Sequence, residues 1–273
     1  MIRDITIGQY YQSDSKIHRL DPRTKLFATL IYLIMLFISS NVASYIFSAI
    51  CMLIIIKVSE IPHSFIFRGL RAIFTILFIS VFFNIFFTPG KVIFSWWVIK
   101  VTYEGLVKAG LMGFRFVLLI IGSSILTLTT TPNNLTDGLE KSLGFLRIIK
   151  IPVHDIAMMM SIALRFIPIL MDETDKIMKA QTARGADFET GNIFRRAKAM
   201  IPVLVPLFIS SIRRANDLAV AMDARCYRGG EGRTKMKPLN YHAGDYVAYG
   251  IIVLFAAAMI LIRIYYGNIV RLL

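Results

Sequence analysis

Long apolar runs separated by short polar breaks fill the first half of the chain, and a polar stretch with helical patterning interrupts them before one last apolar run. The first two runs, Leu26 to Ser40 and Val42 to Ile56, flank Ser39-Ser40-Asn41. Each is about fifteen residues, short of the roughly 20 that a straight spanning helix needs. Together they predict a tight helical hairpin whose ends borrow flanking residues. A third run goes from about Ala72 to Thr88 and stops at Pro89-Gly90; a fourth goes from about Gly105 to Thr130. Ala243 to Ile264 closes the chain. The stretch 91–104, with Trp96, Trp97 and Tyr103, suits an interfacial segment anchored by aromatics. The pattern predicts an all-α membrane protein with about five transmembrane helices.

Residues 131–242 are too long a stretch for a structureless loop. Thr131-Pro132 begins a first helix, as N-cap and N1 residues, ending near Lys150. Ile151-Pro152 begins a second, running to Gly185, and Gly191-Asn192 precedes a third, running to about Tyr227. Arg228-Gly229-Gly230-Glu231-Gly232 then forms a loop. Val153–Met171 is apolar enough to pass for a span but holds His154, Asp155 and Arg165. A charge at a helix centre costs about 2.5–3.5 kcal/mol on the insertion scale. Ala199–Ile212 is short and holds Pro202 and Pro206. Phe208, Ile212, Ala215, Ala219 and Met222 fall on one stripe, with Arg213, Arg214 and Asp217 off it. Asp172–Lys176 and Asp175–Lys179 are acid-before-base pairs four residues apart, the favourable order. These are expected to be amphipathic helices lying against something, not spans. Four regions follow: an N-terminal arm (1–25), four transmembrane helices (26–130), a coupling domain of long amphipathic helices (131–242), and a last transmembrane helix with the C-terminus (243–273).

Charge sets the orientation. The chain is 56% hydrophobic yet carries 31 Lys+Arg against 17 Asp+Glu, a formal +14. The arm holds Arg3, Lys16, Arg19, Arg23 and Lys25, and the second connection Lys57, Arg68 and Arg71. The Ser39–Asn41 turn has no basic residue, and the segment after the third span has only Lys91 and Lys100. Most of the remaining positive charge lies in 131–242. By the positive-inside rule the arm and the coupling domain are cytoplasmic, with the C-terminus outside. Nucleic acid is not the expected partner, because the aromatics sit inside apolar runs rather than among the basic residues. The arm is polar from Arg3 onward, so no cleavable signal is expected and the first membrane segment stays in the mature protein.

Catalysis finds no footing in the sequence. There is no GxxxxGK[ST] phosphate loop, no HExxH and no GxSxG. Cys51 and Cys226 are far apart, and His18, His63, His154 and His242 share no metal-ligand spacing. An integral membrane enzyme acting on lipid head groups would need clustered carboxylates or histidines at a membrane face. Asp172, Glu173 and Asp175 come nearest, and their lysine partners suit a solvated face instead.

Two endings carry the functional reading. The second long helix of the coupling region closes on Ala180-Gln181-Thr182-Ala183-Arg184-Gly185 and the third on Ala221-Met222-Asp223-Ala224-Arg225-Cys226. Both read A-x-x-A-R-small. Alone, an arginine near a helix C-terminus merely complements the dipole. Two matching endings on adjacent helices suit tips that enter grooves on other proteins. Small neighbours let the backbone approach, and the planar guanidinium makes bidentate bonds at the bottom. Two tips imply two related receptors. A conventional ABC importer permease usually offers one coupling segment per chain and a polar central lining.

With these endings, the motifs His18-Arg19-Leu20-Asp21-Pro22-Arg23-Thr24-Lys25 and Ala163-Leu164-Arg165-Phe166-Ile167-Pro168, the latter with Met171-Asp172-Glu173-Thr174, complete a likeness over nearly the whole chain. It resembles the transmembrane T component of energy-coupling factor (ECF) transporters. The resemblance implies a non-catalytic scaffold in a prokaryotic cell membrane. Two cytoplasmic ATPase subunits, which bind the ATP and magnesium, and a membrane S component that captures a vitamin or metal ion are its implied partners. Ala183, Arg184 and Gly185, and likewise Ala224, Arg225 and Cys226, would dock into the ATPases. The second tip departs from the pattern by ending in cysteine. The helices from 153 to 227 would support the S component, where Met158, Met159, Met160 and Met171 offer an adaptable surface; core filling between helices explains the same methionines. No cofactor is expected in this chain. Asn84 and Arg115 fall inside spans and mark either a polar pathway or, for Arg115, snorkelling or an interhelical pair.

Overall fold

A computed structural model describes residues 10–272 of the chain, apart from residues 40, 97–98, 189, 231–235 and 237. Helices follow one another as α1 (Pro22–Ile38), α2 (Val42–Ser59), α3 (His63–Phe87), α4 (Tyr103–Thr129), α5 (Pro132–Ser142), α6 (Val153–Ala183), α7 (Ile193–Ala224) and α8 (Ala243–Leu272). A short antiparallel hairpin, β1 (Val92–Trp96) and β2 (Ile99–Thr102), links α3 to α4, and a 3-10 segment, Leu143–Ile149, leads toward α6. The described fold is otherwise helical, as expected for an all-α membrane protein. The contacts divide the chain into two units. One is Ser142–Pro238; the other holds the described residues up to Lys141 together with those from Leu239 onward.

In the larger unit α4 is the hub: α1, α2 and α3 pack on it, and α8 packs on α1 and α2. Gly122 lets α1 approach, since a Cβ there would sit 2.6 Å from Cε1 of Tyr32. Leu36, Tyr45, Met52, Leu128 and Met259 are buried where these helices meet, and Phe255 of α8 lies 5.8 Å from the rings of both Tyr32 and Phe47. The outer faces are apolar and open. Phe27, Leu30, Ile34 and Phe37 form an exposed stripe on α1, and Val247, Ile251 and Leu254 one on α8. Such faces suit a hydrocarbon solvent, in which every backbone polar group must be paired inside its own helix.

Sequence chemistry explains the helix starts. Asp21 caps α1, accepting the Arg23 N–H at 2.9 Å, with Pro22 at the first helical position. Thr131 accepts the Asn134 N–H ahead of α5, the N-cap role read from the sequence.

Several expectations are corrected. α1 and α2 are only three residues apart in the chain, but each makes its principal contacts with α4 and α8 rather than with its hairpin partner. A two-helix ribbon buries too little surface, and α4 supplies a third wall. α3 begins at His63, well before Ala72, because Pro62 marks the break and the polar residues that follow still continue the helix. The 91–104 stretch, read from the sequence only as an interfacial segment, forms the β1–β2 hairpin; Trp97 lies outside the described residues.

By length and apolarity alone, four described helices can cross a membrane: α2, α4, α6 and α8. α1, at 17 residues, falls short of that measure. α6 meets it because Arg165 is the one charge between Asp155 and Asp172.

Two arginine-bearing helix tips as the candidate docking site

α6 and α7 pair along their length. Glu173 of α6 accepts the Ser210 hydroxyl of α7 at 2.9 Å and the Arg214 guanidinium one turn on, while Gln181 reaches toward the Pro202 carbonyl at 3.5 Å. As numbering rises along α6 its partners fall along α7, so the helices run antiparallel and end at opposite ends of the pair. From the Glu173 crossing, the rise of about 1.5 Å per residue places the two C-terminal tips roughly 35 Å apart.

The tips have the same backbone geometry. At the first, the Gly185 N–H bonds to Thr182 O at 2.9 Å and the Ala186 N–H to Gln181 O at 3.0 Å. At the second, the Cys226 N–H bonds to Asp223 O at 2.9 Å and the Tyr227 N–H to Met222 O at 3.1 Å. Each is a Schellman cap, in which the residue after the arginine turns left-handed to bond the last carbonyls. Gly185 has φ +88° and Cys226 φ +55°. The small residue therefore has a backbone reason beyond the slimness expected from the sequence. A Cβ at Gly185 would meet nothing within 4 Å, so no packing inside the chain demands glycine there. Arg184 and Arg225 are the cap residues themselves. Both are exposed, and neither makes an ion pair or side-chain hydrogen bond among the described residues. Ala183 and Ala224 are exposed beside them. The Gly after Arg184 is a C-cap signal the sequence already carries; a left-handed cysteine has no such signal.

The stripe of α7 facing α6 is Val203, Leu207, Ser210 and Arg214, with Val203 only 1% exposed. The stripe read from the sequence lies elsewhere: Phe208 is 67% exposed and Ile212 47% exposed. Ile201, Leu204, Val205 and Ile209 are exposed with them. The seam is partly polar because Glu173, Ser210 and Arg214 bond one another, which leaves the apolar stripe without a cover within its unit. The expected pairs Asp172–Lys176 and Asp175–Lys179 do not form; among the described residues Glu173, between them, carries the ion pair instead. A solvated pair along one helix face gains too little to hold two long side chains in one geometry.

Comparison with known proteins decides the family. Residues 13–236 match the family model described as a cobalt transport protein. A relative from Clostridium kluyveri, named energy-coupling factor transporter transmembrane protein EcfT, is 53% identical over 98% of this chain and the whole of its own length. Relatives of the same name from Ruminiclostridium cellulolyticum and Lactococcus lactis subsp. cremoris are 51% and 45% identical, over 96% and 95% of this chain and 98% of their own lengths. The chain belongs to this family. It is the transmembrane T component of an energy-coupling factor transporter, a membrane protein.

The His18–Lys25 motif of this T component ties the N-terminal arm to the ends of three helices. Arg23 grips Asp21 at 2.9 and 3.0 Å, donates to Leu239 O at 3.1 Å and lies 4.0 Å from the centre of the Tyr241 ring. The fully buried Asp245 accepts the backbone N–H of Asp21 and of His242, each at 2.8 Å. Lys25 donates to His18 O at 3.0 Å and Thr129 O at 2.9 Å. His18 accepts the Ser15 hydroxyl at Nδ1, 2.7 Å, and donates from Nε2 to Tyr11 O, 3.0 Å. These partnerships were not legible in the sequence, since they join residues up to 224 apart.

The methionines divide. Met159 and Met160 of the T component are exposed, while Met158 and Met171 are half-buried. Successive helical residues point about 100° apart, so Met158, Met159 and Met160 cannot share one surface. Arg115 forms the interhelical pair: it donates to Tyr45 Oη at 2.8 Å and to Ser39 O. Asn84 donates to Ser80 O at 2.9 Å within its own helix and to Met112 Sδ at 3.3 Å.

Proposed function

We propose that this T component is the coupling scaffold of its transporter, holding two cytoplasmic ATPase subunits through Arg184 and Arg225. The observation that carries this reading is the pair of exposed guanidinium groups on matching Schellman caps at opposite ends of one antiparallel helix pair. Two identical caps facing opposite ends suit two related receptors. Each arginine is unspent among the described residues and can pair with a carboxylate or with carbonyls in a groove. Ala183 and Gly185, and Ala224 and Cys226, leave room for the receptor wall.

In this reading ATP and magnesium bind in the ATPases, and the chain itself is non-catalytic. Closure of the ATPases moves the two tips, and α6 and α7 act as levers. Their uncovered apolar face, with Phe208 and Ile212 at its centre and the exposed Met159 and Met160 on α6, supports a membrane S component that captures a vitamin or metal ion. The arm and the coupling helices face the cytoplasm of a prokaryotic cell, and α6 lies along that side instead of spanning, as its Asp155 and Arg165 favour.

The test is Arg184→Glu combined with Arg225→Glu. Co-purification of the ATPases is expected to be lost while membrane insertion is kept. Retention of both ATPases together with uptake would overturn the docking reading.

A further inference from the structure

Within the helical bundle, a cavity of about 1070 Å³ opens between α1, α2, α4 and α8. That is slightly above the roughly 300–1,000 Å³ range of small-molecule pockets. Its walls are almost wholly apolar. Ala28, Ile55, Ile125 and Ile251 run along them to a floor at Tyr32 and Phe255. It opens sideways past Ile54 and Ile251, which are 58% and 63% exposed. Charge is confined to one end, where Lys16, Arg19 and Lys25 line it against a single carboxylate, Asp245. That carboxylate is already engaged by two backbone N–H groups. Arg19 pairs with Asp14, and Lys25 is spent on two carbonyls. Lys16 is exposed and makes no ion pair among the described residues. At the same end lies Thr24, 1% exposed, whose hydroxyl has no hydrogen-bond partner among the described residues. A buried hydroxyl without a partner costs roughly 1–3 kcal/mol, which marks a missing acceptor or donor.

We propose that the cavity is a binding site for one anionic phospholipid. Its phosphate faces Lys16, an ester carbonyl accepts the Thr24 hydroxyl, and its acyl chains lie along α1 and α8 toward Tyr32 and Phe255. The profile of the site suits an amphiphile: cationic at one end with the Thr24 hydroxyl beside the charge, then walls that are almost wholly apolar down to the buried Tyr32 hydroxyl, with a side door. A compact polar solute would leave its own groups unpaired along those walls. A transmembrane helix from a partner would find no use for a cationic end. Such a lipid would act as a wedge holding α1 and α2 on α4 and α8. The proposal stands apart from the docking reading, since neither tip takes part.

The test uses the full chain, purified in mild detergent and examined by native mass spectrometry after loading with dioleoyl-phosphatidylglycerol or dioleoyl-phosphatidylcholine. One lipid per chain is expected, with phosphatidylglycerol preferred about fivefold for each cationic side chain at the headgroup. Lys16→Glu is expected to abolish that preference while leaving the thermal midpoint of the lipid-free protein unchanged, because Lys16 is exposed on the arm. Ala248→Trp, which fills the wall, is expected to lose both lipids. Equal retention of the two lipids by the unaltered chain, no retained lipid, a dimer seen in place of a lipid adduct, an undiminished preference for phosphatidylglycerol in Lys16→Glu, or undiminished binding in Ala248→Trp would each overturn the proposal.

Discussion

The Lys25 ammonium lies 2.9 Å from the carbonyl oxygen of Thr129, the last residue of α4, in a site where Lys25 is only 7% exposed. A cation at a helix C-terminus meets both an unpaired carbonyl and the negative end of the helix dipole. The same ammonium reaches His18 O, so one side chain closes α4 and fastens the arm. Lys25→Met is expected to leave two shielded carbonyls unpaired and to cost about 2–3 kcal/mol. Thermal unfolding in detergent checks this: a midpoint several degrees lower is expected, together with faster proteolysis of the arm.

Arg115, Tyr45 and Ser39 form a closed triangle, since Tyr45 Oη also donates to Ser39 O at 2.8 Å. It satisfies the carbonyl left open where α1 turns into α2. A double-mutant cycle of Arg115→Met and Tyr45→Phe is expected to show a coupling energy of about 1 kcal/mol or more. Additive losses would mean the two residues act independently.

The two tips respond in opposite directions to one methyl or thiol group. Gly185→Ala places a side chain in the left-handed region and is expected to destabilise the end of α6 by about 1 kcal/mol. Cys226→Gly relieves the matching strain and is expected to stabilise the end of α7 by a similar amount, partly offset by the greater freedom of glycine in the unfolded chain. Hydrogen exchange of the amides of Ala186 and Tyr227, each bonded back into its helix, reads the two effects separately.

Burial holds the His18 imidazole below its ordinary value, with the nearby Lys25 charge acting in the same direction, against the Tyr11 carbonyl. The folded chain thus binds fewer protons at this site than the unfolded chain just below the ordinary value of about 6.5. Stability from this group is present above that pH and is lost as pH falls through the window between the unfolded and folded values. The thermal midpoint is expected to drop on acidification from pH 7 to pH 5.5, and His18→Gln to flatten the drop. A wild-type midpoint unchanged across that range would contradict the assignment.

Much of the architecture was legible because its signals are local. Thr131-Pro132 announces a helix start through a side chain that bonds the next turn, and the structure has that cap, whereas α1 begins at Pro22, four residues before the apolar run from which it was read. The start and end of α6 were read from Pro152 and Gly185, since proline lacks the N–H that a helix interior needs and glycine tolerates the left-handed turn. α3 was misjudged at its start because hydropathy reports where lipid begins, not where the helix does.

Composition and periodicity by themselves determined that the chain is a helical membrane protein with two long amphipathic helices and two matching arginine endings, because propensity, capping and apolar spacing act within a few residues. Only the tertiary structure decided that α1 and α2 seek α4 and α8, that Glu173 joins Arg214 across helices, and that the stripe of Phe208 and Ile212 stays uncovered. Those outcomes depend on which distant surfaces compete for the same neighbour, and a packing choice of that kind is a property of the whole chain at once.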